Sequence, residues 1–128
     1  MKNFFRKSLV VALIALPMFS HAAIRDCGGG TIKSIEENYL DRGYTGIQVV
    51  SGTTHPINQS YNGRMLLRTN IQEGIPLVAF EKAKLMRTTL LSAFHAGNYV
   101  RFKSDTTISP FCWDVTEVQV CKDEASCN

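Results

Sequence analysis

Between Leu77 and Lys103 the chain reads LVAFEKAKLMRTTLLSAFHAGNYVRFK, with apolar side chains at Ala83, Met86, Leu90, Ala93 and Phe94. Steps of three and four place these positions on one face of a 3.6-residue spiral, which predicts a helix. Leu77, Phe80 and Leu91 widen the stripe, while Glu81, Lys82, Lys84, Arg87 and Thr88 fill the other side, so the helix has a dry face and a wet one. Gly97 stands where a helix end needs a left-handed residue. Tyr99 to Lys103 then alternates in period two and predicts a half-buried strand.

The rest of the pattern is shorter in period. Gly28, Gly29 and Gly30 read as a bend or bulge, and Thr31 to Ile35 as a first strand. A phosphate cradle is the less favoured reading, because Lys33 and Ser34 do not follow a glycine, and no helix follows, in the way a P-loop requires. Asn38 to Gly46 carries the turn signal Asp41, Arg42, Gly43, and Ile47 to Ser51 alternates as a second strand. Gly52 to Gly63 is a polar surface loop in which Pro56 holds His55 extended. Arg64 to Ile71 is a third strand, 72–76 a connector, Ser104 to Pro110 a loop, Trp113 to Val120 a fifth strand, and Lys122 to Asn128 a polar tail. The order strand, strand, strand, helix, strand, strand predicts an OB-fold-like, five-stranded, partly open barrel, mainly β with one helix. An α+β sandwich of the same elements is the rival.

The first 22 residues change how charge and cysteine are read. Lys2, Arg6 and Lys7 precede an apolar run from Leu9 to Leu16, and Ser20 and Ala22 supply small residues. That is the layout of a secretory signal peptide cut after Ala22, with an apolar run too short to span a bilayer. It leaves residues 23–128 as one domain without a transmembrane segment. Three of the 14 Lys and Arg lie in the leader, so 11 remain against 11 Asp and Glu. A domain of zero net charge lacks the basic surface that nucleic acid requires.

All four cysteines, Cys27, Cys112, Cys121 and Cys127, fall in the exported part. An even count in a small exported domain argues for two disulfides. Three connectivities are open, of which Cys27 with Cys112 and Cys121 with Cys127 is favoured. The first would close a long loop, restricting the unfolded chain by about 4 kcal/mol on the entropic account. No CxxC or HxxxH spacing supports zinc, and neither a metal nor a cofactor is expected.

The search for reaction chemistry is negative. His55 lies in a loop and His95 at the helix end, where it suits a cap charge better than a base. No GxSxG, HExxH or cysteine-histidine arrangement is present. Glu36 with Glu37, or Asp123 with Glu124, are adjacent carboxylates, and adjacent residues on a strand point to opposite faces. Asn58, Gln59 and Ser60 spell a glycosylation sequon, a pattern common by chance.

The helix LLSAFHAGNYVRF running into the fourth strand, in an exported chain of this size with disulfides, resembles the B subunits of bacterial AB5 toxins of the subtilase-cytotoxin and typhoid-toxin type. The resemblance covers Leu77 to Val120 at the level of pattern. It implies a pentameric ring that binds cell-surface glycans, its centre lined by the helices, here Glu81, Lys82, Lys84 and Arg87. An aromatic-rich N-terminal segment and a serine-rich sialic-acid motif are missing, so no binding residue of that family transfers. Independently of it, Tyr39, Tyr44, Tyr61, Asn62 and Arg64 sit at strand ends and in the long loop, where OB-folds carry ligand sites. Aromatics beside amide and guanidinium groups suit sugars. The expectation is therefore an exported glycan-binding subunit. The alternatives are a protein-binding module such as an enzyme inhibitor and, with the least support, a small hydrolase using His55 or His95.

Overall fold

A computed structural model describes residues 23–40, 43–70 and 73–127. The expected leader and its cut after Ala22 lie outside the described residues, as do Asp41, Arg42, Ile71, Gln72 and Asn128. The elements are β1 (Ile24–Tyr39), β2 (Tyr44–Ser51), β3 (Met65–Leu67), α1 (Leu77–Ala96), β4 (Tyr99–Asp105) and β5 (Glu117–Cys121).

All neighbouring strands pair antiparallel, in the order β3-β2-β1-β4-β5. β3 and the segment just before β5 approach at one point. Leu66 N donates to Trp113 O at 2.7 Å and Val115 N to Leu66 O at 3.1 Å, a parallel bridge centred on Asp114. The sheet thus curls almost onto itself, giving a five-stranded, partly open barrel with the helix between strands three and four, the OB-fold arrangement. Among the described residues no helix is long and apolar enough to cross a membrane.

The core follows the period of two. Ile32 and Ile35 on β1, Ile47 on β2, Met65 and Leu67 on β3 and Val100 and Phe102 on β4 face inward against Ala83, Leu90 and Ala93 of the helix. Each large side chain fully buried here contributes about 1.5–3 kcal/mol. Phe80, Ala83, Leu90 and Ala93 form the buried line of α1, and Gly97, at φ 70°, closes it by donating its amide to Phe94 O. The stripe is narrower than the pattern implies. Leu77 is 64 % exposed, and Leu91 and Phe94 are more than a third exposed, because they fall on the flanks of that line.

The strand bounds also differ from the pattern. β1 runs through all three glycines, and its ladder to β4 slips between Asp26 and Gly29, the bulge expected of that run. Gly28 adopts φ 88°, and a Cβ there would stand 2.1 Å from Pro56 O. β3 is only three residues long. Arg68 leaves the ladder to bond Asp114, and Thr69 Oγ1 turns to Gly43 O at 2.5 Å.

Both disulfides take the favoured pairing, Cys27–Cys112 and Cys121–Cys127. The second folds the tail over the outer side of β4, where Tyr99, Cys121 and Cys127 make a small core of their own. Glu124 fastens this tail to the β2–β3 loop, accepting from Thr54 N at 2.5 Å and from Thr53 Oγ1 at 3.4 Å. The Thr54 bond, above all, holds the Glu124 carboxyl below its ordinary value of 4.5. A carboxyl depressed in the folded state stabilises fully above its unfolded pKa and loses that contribution as pH falls through the folded one. The melting temperature is therefore expected to drop in the wild type between about pH 5 and 3. In Glu124→Gln the deficit at neutral pH should shrink over that interval, which a pH series of thermal melts measures; a constant difference would show that the clasp does not titrate.

Candidate glycan-binding face

The outward side of β1, β2 and β3 is set by the same alternation that builds the core. With Ile35 opposite Ile47 and Ile47 opposite Met65 facing inward, Glu36 and Gly46 alternate outward, and Ser34, Gln48 and Arg64 with them, while Leu66 on the same side is buried. Ser34 Oγ donates to Gln48 Oε1 at 3.0 Å. Gly46 leaves a gap on this face. A Cβ there would stand 3.3 Å from Arg64 Cδ and 3.3 Å from Tyr39 Cγ. Both long side chains therefore lie across the glycine.

Arg64 is the hub. Its Nε and Nη2 donate to Glu36 Oε1 at 3.0 and 2.6 Å, its Nη1 donates to Asn62 O at 2.9 Å, and its guanidinium carbon lies 4.8 Å from the centre of the Tyr39 ring. The Glu36 hydrogen bond holds the Arg64 pKa above its ordinary value, so the group is a fixed cation. Side-chain exposures of 22 % and 41 % leave the pair partly wet, so solvent screens it and it adds little to stability. Its consequence is positional, since it orients the Tyr39 ring and the turn at Asn62.

That turn is a two-residue hairpin. Tyr61 and Arg64 exchange both backbone hydrogen bonds at 2.8 and 2.9 Å, and Asn62 and Gly63 take φ of 48° and 77°, as a type I′ turn demands. Tyr61 faces a second group of rings. Its ring meets Trp113 edge-on at 5.2 Å between centroids, and Phe111 stacks on Trp113 at 4.8 Å with 12° between planes. Tyr61 and Phe111 are 37 % and 43 % exposed.

The β4–β5 connection that carries Phe111 and Trp113 is tied down at each step. Arg25 Nη2 donates to Pro110 O at 2.8 Å, and Ser104 Oγ donates to Phe111 O and Asp114 O, both at 3.1 Å. Cys112 is bonded to Cys27, and its amide donates to Gln59 Oε1 at 2.9 Å. Asp114 receives Arg68. The rings are thus displayed on a fixed backbone.

Of the residues expected at a ligand site, Tyr39, Arg64 and Asn62 come together, and Tyr44 stands opposite Tyr39 in the β1–β2 register. Tyr61 belongs instead to the ring group with Trp113 and Phe111. The alternating pattern assigns Trp113 to a strand and says nothing of Phe111. The signal that points to them is the triplet Phe-Cys-Trp at positions 111–113, where a disulfide pins the residue between two large rings.

The helix charges do not form one set. Glu81, Lys82 and Lys84 are exposed, whereas Arg87 Nη1 reaches Glu37 Oε2 of its own chain at 3.4 Å. Glu37 also accepts from Thr45 Oγ1 on the core side, so it and Glu36 do point to opposite faces. Of the other paired carboxylates, Asp123 accepts from Ser126 N inside the tail and Glu124 holds the loop. His95 is exposed against Phe94, and the ring Nδ1 of His55 is buried without a hydrogen-bond partner. Among the described residues no group of acids, histidines and cysteines could hold a metal ion.

A cleft of about 550 Å³ opens on another side, between Ala79, Leu85 and Met86 of α1 and Ile108, Val115 and Val118, with Lys82 and Asp105 at its rim. It lies apart from the ring group, sharing none of its residues. No family model matches this chain, and no curated protein or solved structure matches it at a significant level.

Proposed function

We propose that the chain is an exported binding protein, of the toxin B-subunit kind, that takes up a glycan on the outer face of β2 and β3. The observation that carries this reading is a pair of aromatic groups joined by the Tyr61–Arg64 hairpin, Tyr39 against Arg64 on one side and Tyr61 with Trp113 and the exposed Phe111 on the other. OB-folds use the face of strands 2 and 3 and the β4–β5 connection for oligosaccharides and oligonucleotides, and the neutral charge balance disfavours the latter. Export agrees with two disulfides, which form and persist in oxidising compartments. Ring assembly around α1 belongs to the same proposal, with Glu81 and Lys84 on the exposed side of the helix.

On a glycan array the purified chain should retain a defined set of sugars, and Tyr39→Ala and Arg64→Ala should reduce that retention about tenfold or more. Light scattering on the same sample should give a mass above that of the monomer. A monomer silent on the array would sink the proposal. In that event a protein-binding module is the reading to take up, since Leu77, Val78 and Leu85, 64 %, 54 % and 70 % exposed, present an apolar side of α1 beside the 550 Å³ cleft.

A further inference from the structure

We infer that the stack of Phe111, Trp113 and Tyr61 is the primary sugar subsite and that it selects sugars by an uncharged, apolar ring face rather than by a carboxylate. The inference rests on the glycan reading above and names the class of sugar. Phe111 has one ring face covered by Trp113 at a 12° angle and is 43 % exposed, so its other face is free for a planar apolar partner. Tyr61, set edge-on to the same indole, adds a second exposed ring. Pyranose rings with their C–H bonds gathered on one face stack on such rings, and their hydroxyls then reach polar groups at the edge. Exposed Gln59, Ser60 and Asn62 provide those groups at the adjoining turn.

Charge decides the class. A carboxylate is best held by a free arginine fork. On this face the fork is Arg64, and it is turned onto Glu36 Oε1 through two nitrogens. Arg68, beneath the connection, spends both of its bonds on Asp114. Arg25, on the other side of the connection, is turned onto the Pro110 carbonyl. An acidic sugar placed at the Tyr61 edge of the rings would have to separate Arg64 from Glu36 to gain that fork, whereas a neutral hexose or N-acetylhexosamine need not; Arg25, at the Phe111 edge, gives one nitrogen to the neutral Pro110 carbonyl.

The chain has a single tryptophan, so its intrinsic fluorescence reports the surroundings of Trp113, the ring group and the core it packs on. Neutral oligosaccharides ending in galactose, glucose or N-acetylhexosamine should shift the Trp113 emission on titration and bind more tightly than their sialylated counterparts. Phe111→Ala should weaken that binding about tenfold, with its melting temperature lowered by only a few degrees, and Phe111→Trp should restore it. If glycans bind but Phe111→Ala and Tyr61→Ala leave the affinity within about twofold, or if only the sialylated forms bind, the inference falls while the glycan reading stands. If no glycan binds at all, both fall.

Discussion

Replacing Arg68 with alanine is expected to destabilise the chain by about 3 kcal/mol, toward the lower end of what breaking a buried ion pair costs. Arg68 Nε donates to Asp114 Oδ1 at 3.0 Å and Nη2 donates to Oδ2, a two-pronged pairing, and the Asp114 side chain is only 3 % exposed. Without the guanidinium a carboxylate is left in the interior with no counter-ion. Because Arg68 itself retains 21 % exposure, water relieves part of the penalty, which sets the estimate at the low end. A urea titration measures it. The control is the double variant Arg68→Met with Asp114→Leu, which removes both charges and should recover most of the loss. A cost under about 1 kcal/mol for Arg68→Ala would mean that the pair behaves like the wetter Arg64–Glu36 contact. The comparison separates two roles: one ion pair holds the bridge between β3 and the segment before β5, and the other arranges a surface.

How much of this could be read from the residues depends on how local the determining contacts are. The helix from Leu77 to its Gly97 cap, the strand after it and the order of the six elements follow from periodicities spanning a few residues, and they are where the pattern places them. The disulfide pairing follows from which strands the topology brings together. What the pattern misses depends on contacts distant along the chain. Nothing near Arg68 announces that its partner lies 46 positions away and that β3 ends there. Gly46 looks like a turn residue, yet it sits mid-strand because Tyr39 and Arg64 cross over it. Arg87 looks unpartnered on a helical wheel until β1 delivers Glu37 beside it. At the site, Tyr39, Arg64 and Asn62 are legible because they lie at strand ends and turns. Trp113 is not, since a tryptophan in an alternating stretch reads as core, and it does pack on the core; its second contact, with Tyr61, follows from the parallel bridge at Leu66. Asn62–Gly63 was legible in principle, being the dipeptide that most strongly favours a tight hairpin.

Removing the Cys27–Cys112 disulfide should have the largest effect on both stability and binding. The two cysteines are 85 positions apart, so on the loop-entropy account the crosslink contributes about 4.5 kcal/mol, a substantial part of the stability of a domain this size. Cys121–Cys127 closes a separation of 6 and on the same account contributes about half as much. The functional asymmetry is greater than the energetic one. Cys112 lies between Phe111 and Trp113, and its partner is in the central strand β1, so the crosslink is what seats the stacked rings on the barrel. In Cys27→Ala/Cys112→Ala the connection keeps its hydrogen bonds, the Arg68–Asp114 pair and the packing of Trp113 on the core, but loses its covalent tie at the residue between the rings. The emission of Trp113 should then move toward that of a solvated indole with loss of the proposed sugar binding, even at temperatures where far-ultraviolet dichroism shows the sheet intact. In Cys121→Ala/Cys127→Ala the tail over Tyr99 should loosen while Trp113 emission and binding stay as they were. Equal losses of binding in the two variants, measured by tryptophan fluorescence beside urea unfolding, would show that the disulfides act only through global stability and that the rings need no separate anchor.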